Sequence, residues 1–312
     1  MQSPNESNDG KINSWPNGWQ LFQDFFFQPT TSHTLAIIRI LTGTMIAYIH
    51  FVWMLDLEAF MGPHALVDNQ LWHTLHRDRV LDAKWTYLSL IESMPLIWIH
   101  ELLAMGAGLL LALGFKTRLF SVLAWFLTLM TVHRMTGMLF GLDQIVIMLA
   151  MYLCIARSGE LWSVDAWLHR RSLGDYVESE ASWSNTFATR FMQLHLCVIY
   201  LFGGIGKMRG DMWWDGSATW YSAAAYEYQS LDLTWIGYSP FLASVVTHMT
   251  VFWELSYCAL IWPKWTRPLM LGIALLVHGG IALFLGMMTF GFMMLVANLA
   301  FVSPKLLAKW SK

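Results

Sequence analysis

The chain has 312 residues, of which 56% are hydrophobic and only 13% charged, and its mean hydropathy is +0.45. Soluble domains carry roughly 25% charged residues, so this composition excludes an ordinary soluble domain and implies a multi-pass membrane protein. A net charge of -2 excludes the basic surface of a nucleic-acid-binding protein.

Residues 1–14 are polar and expected to be disordered, without the basic segment and short apolar run of a cleaved signal peptide. From Trp15 to Phe27 aromatic residues crowd together, which predicts a segment lying on the membrane surface. Eight apolar stretches follow, each near the roughly 20 residues that a bilayer core requires. They run over Thr34–Leu55, Pro95–Phe115, Leu119–Thr136, Met138–Ile155, Phe187–Ile205, Phe241–Trp262, Pro268–Leu285 and Met287–Val302. The expected fold is therefore an all-α polytopic membrane helix bundle of about eight transmembrane helices over residues 15–305, with a tail at 306–312. Arg134 and Asp143 interrupt the third and fourth stretches, and the seventh and eighth could form a re-entrant pair. The three cysteines (Cys154, Cys197, Cys258) each sit in an apolar run without paired spacing, so neither a disulfide framework nor a metal site is expected.

Charge distribution sets the expected orientation. With the amino terminus in the cytoplasm, the inside segments hold eleven lysines and arginines and the outside segments six. Both termini are then cytoplasmic, and the long loops 56–94 and 206–240 face outward. At about 1.5 Å per helical residue, His50, His100, Glu101, His133, Arg134, Asp143 and Lys207 gather in the outer half. That gathering predicts one polar cavity opening away from the cytoplasm. A second set, His195, Glu254 and His278, falls near mid-membrane.

The stretch Gly203-Gly-Ile-Gly-Lys-Met-Arg-Gly-Asp-Met-Trp-Trp-Asp-Gly216 places Lys207 at the boundary between oil and water. Four glycines there (Gly203, Gly204, Gly206, Gly210) leave room for other backbones beside the lysine. A snorkelling lysine with an aromatic anchor is the bland reading; a functional amine is the sharp one. It is not a phosphate loop, because Leu201 and Met208 stand where that motif needs a glycine and a Ser or Thr. Arg134 and Asp143 read as a charge pair joining the third and fourth spans. His133 reads as a proton shuttle or, more commonly, a histidine bonded to backbone. His73 and His76 are three apart but lack a third ligand. Glu254 and His278 could form a proton path or bond across helices.

Three stretches together resemble the HTTM family, the membrane module shared with vitamin K-dependent gamma-glutamyl carboxylase. One is Leu35-Ala-Ile-Ile-Arg-Ile-Leu-Thr-Gly43, continuing into Leu57-Glu-Ala-Phe-Met-Gly-Pro63. Another runs from His133 through Gly141-Leu-Asp143. The most specific runs from Gln193 through Tyr200-Leu-Phe-Gly-Gly-Ile-Gly-Lys207 to Trp214-Asp-Gly-Ser-Ala218. The resemblance implies that Lys207 is the base acting on reduced vitamin K or another quinol, with O2 and CO2 as co-reactants. His133 would be a second catalytic residue, although Thr136 could align with the family's histidine instead. Arg39, Arg134, Asp143 and Trp214 would shape or pair within the cofactor pocket. Desolvation at an oily boundary would leave part of the amine neutral, able to accept a proton. Gly206 stands where the carboxylase has a second lysine, and no counterpart of its large lumenal domain is expected before Lys312. The expected function is thus a carboxylase-like enzyme of a bacterial cytoplasmic membrane, its site on the non-cytoplasmic side. The expected partners are the lipid bilayer and a secreted peptide or protein substrate. The alternative is a non-catalytic membrane protein that binds or matures a secreted peptide; a transporter using Glu254 and His278 ranks last, since no broken-helix repeat is evident.

Overall fold

The computed structural model describes residues 17–77, 84–173, 180–227 and 229–310; the polar segment 1–14 lies outside them. Among the described residues the chain is helical throughout, with no strand beyond an isolated antiparallel bridge between Thr30 and Ser182. Ten helices have ten residues or more: α1 (Gly18–Phe27), α2 (His33–Met54), α3 (Met94–Leu113), α4 (Thr117–Arg134), α5 (Gly141–Leu153), α6 (Val164–Leu173), α7 (Trp183–Lys207), α8 (Pro240–Leu260), α9 (Arg267–Phe284) and α10 (Met288–Asn298). A helix stands at each of the eight positions expected from hydropathy. Four of them, α2, α3, α7 and α9, are long and apolar enough to cross a membrane. By contrast α5 and α10 have 13 and 11 residues, lengths of about 20 and 17 Å against a core of about 30 Å. Eight full-length spans are therefore more than the helix lengths support.

Local chemistry explains where these helices begin and end. Pro95 opens α3, and Gly114 closes it in a left-handed conformation at φ 69°. The start of α4 is capped by a side chain from the first turn of α6. The Asp165 carboxylate accepts from the amides of Lys116 and Thr117 (both 2.8 Å) and from the Thr117 hydroxyl (2.7 Å). At the start of α5, Asp143 accepts the Phe140 amide at 2.7 Å, a carboxylate at the positive end of a helix.

The tightest crossing joins α2 to α3. A Cβ on Gly43 would lie 2.5 Å from the Ala112 nitrogen, and one on Gly108 would lie 2.8 Å from the Ala47 nitrogen. Small residues let the two backbones touch, as membrane helices do when packing rather than hydrophobicity holds them together. Gly43→Val is expected to force the helices apart at a cost of about 1–3 kcal/mol. A lowered unfolding midpoint in detergent would register it, and an unchanged midpoint would deny the close crossing. The apolar core runs through α2, α5, α7, α8 and α10, with Ile38, Ile46, Val146, Leu149, Leu196, Trp253 and Met293 buried.

The aromatic segment forms α1, which docks on α7. Phe26 stacks near Phe191, with ring centroids 5.6 Å apart, and the Arg190 guanidinium lies 4.3 Å over the Phe25 ring. Trp19, Leu21 and Phe22 point outward and are exposed, as a surface-lying segment requires. The backbone bridge between Thr30 and Ser182 sets the starts of α2 and α7 side by side. Arg39, early in α2, and Lys207, the last residue of α7, therefore lie at opposite ends of the bundle, about 25 Å apart along its axis by helix rise.

Candidate functional site

Tyr200, Gly203, Gly204 and Lys207 recur on α7 at the spacing that puts residues on one helical face. That face meets Trp253, Glu254 and Tyr257 of α8. The Lys207 Nζ donates to both Glu254 oxygens, at 2.8 and 2.7 Å. The lysine side chain is 26% exposed and the glutamate 11%, so the pair sits at the edge of the dry interior. Trp213, from the turn beyond α7, covers the ammonium with its ring centroid 5.4 Å away. A bidentate carboxylate and an aromatic face both stabilise the charged amine. Of the four glycines, Gly204 is the close-packed one: a Cβ there would lie 2.9 Å from a Leu255 methyl. Gly206 faces open space, and Gly203 flanks the ion pair with room for a methyl group.

The segment after Trp213 is fastened to α8. Gly216, at φ 83°, lies against Ser244, and its carbonyl accepts the Thr247 hydroxyl at 3.0 Å. Thr219 also bonds Thr247 through its amide. This fixes the turn that carries Trp213.

One turn below the ion pair lies a buried chain of hydrogen bonds. Tyr257 donates to Asn298 Oδ1 at 2.6 Å, Asn298 Nδ2 donates to the Tyr200 oxygen at 2.9 Å, and Tyr200 lies 2.6 Å from His278 Nε2. The Asn298 orientation is fixed because Nδ2 also reaches the Met294 carbonyl at 2.8 Å. Tyr200 therefore spends its proton on His278 Nε2, and the neutral imidazole carries its own on Nδ1. That Nδ1 is buried and has no hydrogen-bond partner among the described residues. His278 lies within electrostatic reach of Lys207.

The residues expected to share one cavity are distributed among several environments. His50, His100 and Glu101 do meet, in a cluster between α2, α3 and α4. Glu254, expected with the deeper set, is instead the partner of Lys207. Arg134 and Asp143 form no ion pair with each other: Arg134 donates to the Val67 carbonyl at 2.8 Å, and Asp143 caps α5. Backbone groups engage the Asp143 carboxylate and one terminal nitrogen of Arg134, while the other terminal nitrogen is buried with no hydrogen-bond partner among the described residues. His133 Nδ1 bonds the Trp85 carbonyl at 2.8 Å, the commoner role for such a histidine. Arg39 is buried at the far end, bonded to the carbonyls of Leu111, Ala112, Leu161 and Trp162. Trp214 is 62% exposed and donates to the Met208 carbonyl; Trp213 covers the lysine in its place. His73 and His76 bond the carbonyls of Ser89 and Trp72, and among the described residues no cluster of metal-binding side chains includes them.

Sequence reasoning missed the Lys207–Glu254 pair, although a signal was there. Glu254 is the one acid in α8, and an acid inside an apolar helix needs a cation. Tyr200, Tyr257 and Asn298 gave none, since an isolated Tyr or Asn in an apolar run reads as packing. Two hollows lie elsewhere. One, of about 530 Å³, is bordered by Thr117, Arg118, Asp165 and His169. The other, of about 650 Å³, is bordered by Gln70, Trp72, His73, His76, Arg77 and Lys84.

A sequence-family model described as HTTM domain matches residues 27–306, from the last residue of α1 to the one-turn helix Pro304–Leu307 beyond α10. No curated protein and no solved structure matches this chain.

Proposed function

This chain belongs to the HTTM family, and on that premise we propose that it is a membrane enzyme whose Lys207–Glu254 pair performs acid–base chemistry on a lipid-soluble quinol. The observation that carries the reading is the bidentate ion pair at the lip of the apolar interior, under Trp213. Two features of the site support a flat, oxygen-bearing ring as its ligand. Trp213 offers an aromatic face, and the buried His278 Nδ1–H lacks an acceptor such as a ring oxygen would supply. A quinol, once bound, would bring the phenolic proton and the reducing equivalents, with O2 and CO2 as co-reactants.

Glu254 sets the state of the amine. While the site is open, water solvates both charges and Lys207 stays protonated. A ligand that excludes water removes that solvation, and the neutral pair (amine and carboxylic acid) gains on the ion pair. The proton then moves along the existing bond from Nζ to a Glu254 oxygen, a path of 2.7–2.8 Å. Lys207 becomes a neutral base inside the site. His278 holds the ligand's oxygen, and Trp213 keeps the amine on its side of the ring. The excess of positive charge on the opposite loops supports a site facing away from the cytoplasm.

The test is epoxide formation by membranes containing wild type, Lys207→Ala, Lys207→Arg or Glu254→Gln, given a hydroquinone, oxygen and labelled bicarbonate. Wild type is expected to form the epoxide and both lysine variants to lose it. Equal yields from all four would end the base role. A second reading, capture of a secreted peptide, draws on the hollow beside Trp72, His73 and Arg77; it gains if wild type itself forms no epoxide.

A further inference from the structure

A second network, at the same end of the bundle as Lys207, takes no part in the chemistry above. His50 of α2 meets Glu101 of α3 at 2.5 Å through Nδ1, and its Nε2 lies 3.0 Å from the Thr128 hydroxyl of α4. The Thr131 hydroxyl donates to the other Glu101 oxygen at 2.9 Å. His100 Nε2 lies 2.8 Å from Thr131 Oγ1, and the Tyr87 hydroxyl lies 2.6 Å from His100 Nδ1. His50, Glu101, Thr128 and Thr131 are completely buried, His100 is nearly so, and Tyr87 is half-buried in the loop before α3.

Valence fixes the direction of the bonds. Thr131 has one proton and gives it to the Glu101 carboxylate, so His100 must donate to Thr131 from Nε2. A neutral His100 then accepts at Nδ1, which makes Tyr87 the donor. Burial and the Glu101 charge both raise the Tyr87 hydroxyl above its ordinary value, which keeps its proton available for that bond. Every donor from the loop to mid-helix thus points the same way, at one carboxylate. The other titratable group facing this cluster is Asp143 at the start of α5, within electrostatic reach of His50; Arg134, one turn beyond Thr131 on α4, is engaged by the Val67 carbonyl.

A clasp joining three helices would not need such a chain. Thr128 and Thr131 already meet the second His50 nitrogen and the second Glu101 oxygen, so a clasp has no use for His100 and Tyr87 beyond them, and an apolar trio of the same volume would hold the helices as well. We propose that Glu101 and His50 form a buried proton-binding site that exchanges with water at the Lys207 end of the bundle through Thr131, His100 and Tyr87. In the uptake step Tyr87 takes a proton from water and gives its own to His100 Nδ1. His100 releases its Nε2 proton to Thr131, and Thr131 passes its hydroxyl proton to Glu101. Only O–H and N–H bonds form and break, and the cluster gains one proton and one positive charge. The site does not depend on quinol chemistry at Lys207.

The test follows the carboxyl group by infrared spectroscopy on the full chain in lipid nanodiscs. On acidification a carboxylic-acid carbonyl band should appear in wild type and be missing in Glu101→Gln. After a switch to heavy water the band should shift quickly in wild type. In Tyr87→Phe the shift should slow at least about tenfold, the rate equivalent of one strong hydrogen bond lost from the path. A purely structural clasp would alter the melting temperature of Tyr87→Phe and leave the exchange rate alone. Equal exchange in the two proteins, or no Glu101 band at any pH where the fold persists, overturns the proposal. Should Glu101→Gln not fold, uniform 13C labelling of glutamate isolates the glutamate carboxyl bands. One of them must then slow in Tyr87→Phe and keep its rate in Lys207→Ala, and the absence of such a band is equally decisive.

Discussion

Arg39→Ala is expected to cost about 3–5 kcal/mol of unfolding free energy, the largest stability loss of any single replacement considered for this chain. The side chain is fully buried, and its two terminal nitrogens bond four carbonyls at 2.7–3.3 Å. Two of those carbonyls, Leu111 and Ala112, end α3, where the helix dipole is negative and the local backbone supplies a partner to Leu111 alone, from the Gly114 amide. The other two, Leu161 and Trp162, belong to the turn before α6, in which Trp162 has the unusual φ of 46°. Alanine takes the side-chain donor from four carbonyls, of which Leu111 alone keeps the Gly114 amide, and leaves a side-chain-sized void where the guanidinium was buried. Arg39→Lys should recover less than half of the loss, because one ammonium cannot span acceptors that a planar guanidinium spans with two nitrogens. Reversible urea unfolding in detergent would measure both. A loss under about 1 kcal/mol, the range of an ordinary surface substitution, would mean that those carbonyls find other partners and that Arg39 does not clamp α2 to α3.

That clamp also shows where the sequence was legible and where it was not. Hydropathy located the eight bundle helices because apolar runs and their flanking Gly and Pro are local features: Pro95, Gly114 and Pro240 mark boundaries on their own. Depth was partly legible too, since counting residues from a helix end placed His50 level with Glu101, and the two meet at 2.5 Å. Partnership was not. Arg134 and Asp143 are near in sequence and opposite in charge, yet each bonds a backbone group in place of the other, the Val67 carbonyl and the Phe140 amide. Lys207 and Glu254 are 47 residues apart, and only the packing of α7 on α8 joins them. Trp213 and Trp214 are neighbours whose roles depend on the rotation of about 100° between adjacent residues of a short helix, which no periodicity in so brief a segment can set. A buried polar side chain takes whichever partner packing delivers, and backbone carbonyls, which every sequence supplies equally, compete for it without leaving a signal.

The Lys207–Glu254 pair allows fold and function to be separated by experiment. Lys207→Met strands a carboxylate that is 11% exposed, and it should cost about 2–4 kcal/mol, somewhat less than a fully buried pair would. Glu254→Leu should cost less, about 1–2 kcal/mol, because the lysine it strands is already 26% exposed and can reach water along its flexible stem. The double variant Lys207→Met with Glu254→Leu has no charge left to solvate and should return to within about 1 kcal/mol of wild type. Single losses of about 2–4 and 1–2 kcal/mol against a double loss of at most about 1 kcal/mol give a coupling of at least about 2 kcal/mol, and additive losses would mean that the two side chains do not pair in the membrane. Epoxide formation should follow a different order. It falls by about 10²–10⁴-fold in Lys207→Met, the usual contribution of a general base, and stays as low in the refolded double variant. An apolar pair that restores stability and leaves chemistry absent would mean that the charges are kept for what they do to a bound ligand, since folding is served as well without them. If the double variant instead regained activity with its stability, the amine would be a structural anchor, and the proton-transfer role of this seam between α7 and α8 would have to be abandoned.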